Sequence, residues 1–188
     1  MNVRWSHCVL RVRDLDAMIS FYCDALGFVV ADRGRANPAD DIEIAFLSGS
    51  SSDHHQIGLL SGREDSDVPR GGRHLDHNAF RVDTIQEVKD MVAWIEADDR
   101  IGKPFPVSHG NAVSVYFSDP EGNGVEVFCD TPWHVQQPQI TGWDTTASPE
   151  DILAAIEAEF ADAPEFMPIE EYRALQAERF GEAGTPTG

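Results

Sequence analysis

Basic side chains are scarce in this sequence. Lysine and arginine number 14 against 33 aspartates and glutamates, a formal charge of −19. Such a chain is repelled by phosphate backbones and anionic lipid, which argues against nucleic acid and membrane surfaces as partners. Cysteine is nearly missing too. Cys8, Cys23 and Cys129 are odd in number and show no Cys-x-x-Cys spacing. They do not make a disulfide framework, and reduced thiols point to the cytoplasm. No apolar run approaches the roughly 20 residues that span a bilayer. Arg4, Arg11, Arg13 and Asp14 leave no room for the apolar core of a signal peptide. Aromatic residues are only 9% of the chain, so they say little about a ligand. Trp5, Phe46, Phe105 and Trp133 are read as core packing before pocket lining.

What is present is one pattern that occurs twice. His7 opens a predicted strand, Cys8-Val-Leu-Arg-Val12, and shares a face with Val9 and Arg11 by period-2 alternation. Asp14 is placed to cap a helix whose apolar residues, Leu15, Ile19, Tyr22 and Leu26, recur at helical spacing, with Gly27 as its stop. Strands are predicted over 28–31, 42–47 and 55–60, with a polar loop over 33–41. After a polar linker, 61–73, the pattern restarts. His77-Asn-Ala-Phe-Arg-Val82 mirrors His7-Cys-Val-Leu-Arg-Val12, with the histidines 70 positions apart (77 − 7). Ile85, Val88, Val92 and Ile95 mark a second amphipathic helix, and three short strands follow near 104–107, 112–117 and 125–129. This is a duplicated βαβββ unit of α+β class.

Glu126 lies inside the last of those strands, between Val125 and Val127. A carboxylate there needs water, an ion-pair partner or a metal. The turn Asp119-Pro-Glu-Gly-Asn123 precedes it. If that loop is symmetric, Tyr116 lies across from Glu126 and shares its face.

Two βαβββ modules and the run Asp119-Pro-Glu-Gly-Asn-Gly-Val-Glu126-Val-Phe128 resemble the vicinal oxygen chelate superfamily over about residues 1–135. That superfamily holds glyoxalases, fosfomycin and bleomycin resistance proteins, methylmalonyl-CoA epimerases and type I extradiol dioxygenases. The resemblance implies a domain over 1–135, with module one at 1–70 and module two at 71–135, forming a cup-shaped mixed sheet around a metal. A helical extension, 136–188, lies outside it. The resemblance makes His7, His77 and Glu126 the metal ligands. Two imidazoles and one carboxylate suit non-haem Fe(II) and leave open positions; Mn(II) accepts the same donors. Within the superfamily the chain is most similar to one-domain extradiol catechol dioxygenases. His55 resembles their acid–base histidine, although the neighbouring His54 leaves the register open. Tyr116 and His109 resemble pocket residues that hydrogen-bond the substrate oxygens. The implied substrates are a catechol-type small molecule and dioxygen, and the implied state is a homo-oligomer. The alternative is a glyoxalase- or epimerase-like lyase or isomerase, which needs a fourth ligand such as Gln56. A metal-free binder of the bleomycin-resistance type has no use for the trio. His74 and His134 flank likely loops and are read as non-ligands.

In the extension, Ser148-Pro149-Glu150-Asp151 marks a helix start, with Ile152, Ile156 and Phe160 on one face. Residues 168–180 read as a second helix stopped by Gly181.

Overall fold

The structure, a computed structural model, describes residues 4–36, 39, 41–64 and 75–181. The linker 61–73 and His74 fall largely or wholly outside these, and so does the chain end beyond 181. The chain divides into two compact units.

The first unit spans residues 1–77, 99–101 and 118–124. It holds β1 (Cys8–Arg11), α1 (Leu15–Leu26), β2 (Val29–Arg35), β3 (Glu43–Ser48) and β4 (Ile57–Leu60). The sheet order is β1-β4-β3-β2, with β1 parallel to β4 and the other pairs antiparallel. Asp14 caps α1 by accepting from the Ala17 amide, and Gly27 at φ 65° ends it. The helix buries Leu15, Met18, Phe21 and Tyr22 in a core shared with Leu10, Val12, Leu47 and Leu59.

The second unit spans 78–98, 102–117 and 125–188. Its strands are β5 (His77–Arg81, whose first residue belongs to the first unit), β6 (Phe105–Ser108), β7 (Ala112–Ser118) and β8 (Gly124–Asp130), and α2 (Ile85–Ala97) follows β5. The order β5-β8-β7-β6 copies that of the first sheet. The duplication extends to single bonds: Val12 N–H donates to Leu60 O and Val82 N–H to Phe128 O, both at 2.8 Å. A capping box starts α2, the Thr84 hydroxyl and Glu87 carboxylate each closing on the other's backbone amide. The fold class is α+β with two four-stranded mixed sheets, as the repeat predicts.

Two expectations need correction. The polar loop predicted from Arg33 is strand as far as Arg35. Its residues are all exposed, so hydrophobicity does not betray it. It is held by edge pairing to β3 and by Arg33, which reaches Asp16 at 2.5 Å and Glu43 at 2.7 Å. Trp5 and Phe105 are 84% and 61% exposed and pack in no core. His134 borders irregular chain on the far side of a short strand. It pairs in a two-residue ladder, β9 (Trp133–His134) with β10 (Met167–Pro168), and is buried against Tyr172 with ring centroids 3.5 Å apart.

The extension belongs to the second unit. Helices α3 (Pro149–Phe160) and α4 (Ile169–Arg179) form where the sequence places them, α3 starting on the Ser148 cap with Pro149 in its first turn. Ile152, Ile156 and Phe160 are buried. Between β9 and α3 the chain runs beside β6: Ser108 N–H donates to Thr141 O at 2.7 Å and Thr141 N–H returns to Ser108 O at 2.9 Å.

Candidate active site

His7, His55 and His77 belong to the first unit, and His109, Tyr116 and Glu126 to the second. His7 precedes β1, where Cys8 N–H donates to Gln56 O at 3.1 Å and Cys8 pairs with Ile57. That register sets His7 beside the segment entering β4. The His7 and His55 rings lie 4.2 Å apart between centroids, and His55 also packs on Phe46 at 4.7 Å.

The two adjacent histidines before β4 do not obey strand alternation. The predicted strand at 55–60 begins only at Ile57. Without a pleat to separate them, His54 and His55 turn toward each other, with their Nδ1 atoms 2.9 Å apart. His54 Nε2 lies 2.8 Å from Asp32 Oδ2. His55, of the two, is the one against His7.

His7 and His77 are oriented alike. His7 Nδ1 bonds the hydroxyl of Ser6 at 3.0 Å, and His77 Nδ1 bonds the carboxylate of Asp76 at 2.7 Å. In each module the residue just before the histidine engages its Nδ1. Metal-bound histidines use this arrangement, the second nitrogen held by an oxygen acceptor.

The turn closes as Asp119 N–H donates to Asn123 O at 2.9 Å. In the second unit, Tyr116 lies on β7 and Glu126 on the neighbouring β8. His109 touches both: its Nε2 is 3.0 Å from the Tyr116 hydroxyl and 3.9 Å from Glu126 Oε1. Glu126 is only 7% exposed. His109 Nδ1 lies 2.6 Å from the carbonyl of Gln139. A carbonyl only accepts, so Nδ1 carries the hydrogen, and in the neutral ring Nε2 accepts from Tyr116 O–H. The Gln137 side chain also donates to His109 O at 2.8 Å. The sequence gives no sign of these two contacts, because they come from the extension about 30 residues away.

The donor chemistry fits a divalent ion: two oriented imidazoles and a buried carboxylate, with no cysteine among them. Among the described residues, no three His, Cys, Asp or Glu side chains converge as a ready-made cluster. The candidate ligands are divided, two in one unit and one in the other. Gln56, the candidate fourth ligand, has its amide oxygen occupied, accepting from Gly49 N–H at 3.0 Å.

Asp119 and Glu121 are structural. Asp119 is buried and accepts from Glu121 N–H, Asn123 N–H, the Asn123 amide and the Tyr22 hydroxyl. Burial raises its pKa, and those hydrogen bonds act in the opposite direction. Glu121 accepts from the Arg13 and Asp14 amides and from Arg63. Together they seat the Asp-Pro-Glu-Gly-Asn turn within the first unit.

The family model described as "Glyoxalase/Bleomycin resistance protein/Dioxygenase superfamily" matches residues 4–127. "Biphenyl-2,3-diol 1,2-dioxygenase 3" of Rhodococcus globerulus is 33% identical over 135 residues, covering 68% of this chain and 63% of that protein. "Probable lactoylglutathione lyase" of Synechocystis sp. is 29% identical over 125 residues, covering 64% of this chain and 91% of that protein. A solved glyoxylase/bleomycin resistance protein/dioxygenase domain from Frankia sp. EAN1pec superposes with a TM-score of 0.56 at 24% identity, covering 71% and 96% of the two chains, and shows the shared fold. The chain spans about 63% of the length of the two Rhodococcus globerulus biphenyl-2,3-diol dioxygenases it matches.

Proposed function

This chain belongs to the glyoxalase/bleomycin resistance protein/dioxygenase superfamily, and from that premise we propose that it is an extradiol ring-cleaving dioxygenase. Its substrates are a catechol-type aromatic diol and dioxygen. His7, His77 and Glu126 are the residues that would hold a ferrous ion, or Mn(II) in its place. Such an ion, when bound, supplies a redox-active centre with positions open to a diol and to dioxygen.

One observation carries this reading: within each unit, a proton-transfer group rests directly against a candidate ligand. His55 stacks near His7, and His109, bonded to Tyr116, sits beside Glu126. A diol must lose a proton on binding and regain one as the ring opens. His55 takes that proton and returns it, a contribution of about 10²–10⁴ in rate. Tyr116, held by His109, hydrogen-bonds the substrate oxygens. The ring opens beside the diol, and both atoms of dioxygen enter a muconic semialdehyde-type product.

The test is optical. Protein loaded with Fe(II) without air, then given catechol or dihydroxybiphenyl and air, should yield a yellow ring-fission product. Colourless mixtures across a panel of diols, with iron bound, would overturn the reading.

A second reading, a metal-dependent lyase of the glyoxalase type, is favoured by one fact: the lyase relative is matched over nearly its whole length. The committed Gln56 oxygen counts against it. Turnover of a hemithioacetal with Zn, Ni, Mn or Co, and none of catechol, would establish it instead.

A further inference from the structure

We propose that Asp32 and His54 form a relay that fixes the tautomer of His55, leaving its Nε2 as the proton acceptor. The proposal deepens the reading above, since it takes His55 as the acid–base group, but its geometry stands apart from that reading.

Asp32 Oδ2 is 2.8 Å from His54 Nε2, and His54 Nδ1 is 2.9 Å from His55 Nδ1. An ionised carboxylate only accepts, so His54 Nε2 must carry a hydrogen. A neutral imidazole has one N–H, which leaves His54 Nδ1 a bare acceptor. His55 Nδ1 must then be the donor, and His55 Nε2 keeps its lone pair. Free histidine prefers the opposite form, with the hydrogen on Nε2, so the relay reverses the intrinsic preference. With His54 neutral, the assignment follows from hydrogen-bond direction.

The fold builds the relay. The β2–β3 register slips between Val30 and Asp32, leaving Ala31 as a bulge, and Asp32 resumes pairing opposite Phe46. Bulges re-aim side chains and recur beside active sites. Phe46 supports both imidazoles, with ring centroids 5.8 Å from His54 and 4.7 Å from His55. A bulge on one strand, an aromatic on the next and a histidine pair before the third thus converge. Asp32 and His54 are positioning residues: neither needs to touch substrate.

The experiment is a long-range proton–nitrogen NMR correlation on metal-free, full-length protein carrying ¹⁵N-histidine, at pH 8.5. His→Gln variants assign the rings. The wild type should show His55 with its hydrogen on Nδ1 and His54 with its hydrogen on Nε2. His54→Leu should return His55 to the Nε2–H form. Asp32→Leu, on a different strand, should shift it in the same direction and guards against misfolding of the first variant. A wild-type His55 protonated on Nε2, or a His55 form indifferent to both substitutions, would overturn the relay. In iron-loaded protein, His54→Leu should lower kcat about tenfold with KM and iron content held. Absence of ring cleavage in the wild type, with the tautomer pattern as stated, would sink the dioxygenase reading and leave the relay standing.

Discussion

Single side chains divide here into those that hold and those that react. Tyr22 and Asp119 hold. Tyr22 is fully buried and gives its hydroxyl proton to Asp119 across 97 positions of chain. Burial raises the Asp119 pKa above the usual aspartate range. Ionising Asp119 therefore opposes folding: its contribution is fully present below the unfolded value and is lost as pH rises through the raised folded one. Tyr22→Phe removes a donor that stabilises the charged form. It should push the Asp119 midpoint higher still in a carboxyl-carbon NMR titration, and cost about 1–3 kcal/mol in urea unfolding at neutral pH. Among the proposed reactive groups, Glu126→Gln should cut the iron retained after dialysis by about tenfold or more, read by metal analysis. His55→Gln should keep the iron and lose about 10²-fold or more in kcat. Loss of iron from the His55 variant would instead move that residue into the ligand set.

Among the elements, the turn between β6 and β7 is the most constrained. Gly110 sits at φ +77°, and a Cβ there would meet Val135 Cγ1 at 2.5 Å and Phe160 at 3.2 Å. Gly110→Ala combines left-handed strain of about 1–2 kcal/mol with overpacking of about 1–3 kcal/mol. It should lower stability by about 2–5 kcal/mol and disturb His109 next to it. Gly27→Ala is the matched control. Its φ is +65°, but the added methyl meets open space, so only the backbone cost of about 1 kcal/mol applies. Paired denaturation curves test the difference. The same turn links the extension to the site, since Gln137 and Gln139 grip His109 from beyond the family-matched segment.

Taken whole, the molecule carries a formal charge of −19. The described cations are largely tied down, as with Arg33 between Asp16 and Glu43 and Arg63 on Glu121. The remaining carboxylates repel one another. Added salt screens such repulsion beyond about 10 Å at 0.1 M, while leaving close, part-buried pairs less affected. The Tm should therefore rise between about 20 mM and 500 mM NaCl in a scanning experiment. A fall would mean that attractive surface pairs dominate. No helix of the described residues is long and apolar enough to cross a membrane.

The sequence alone determined the duplicated βαβββ plan, the helix caps at Asp14 and Ser148, and the turn at Asp119–Asn123. Each of these is local: periodicity, capping chemistry and turn residues act over a few positions, and a 70-residue repeat is visible as text. Only the tertiary structure decided which of His54 and His55 faces His7, because the chain leaves strand geometry just before Ile57 and the pleat no longer separates them. It alone brought Asp32 to His54 through a bulge that hydrophobic pattern does not encode. It alone carried the Gln139 carbonyl to His109, since a backbone acceptor has no signature in sequence and acts wherever packing of the extension delivers it.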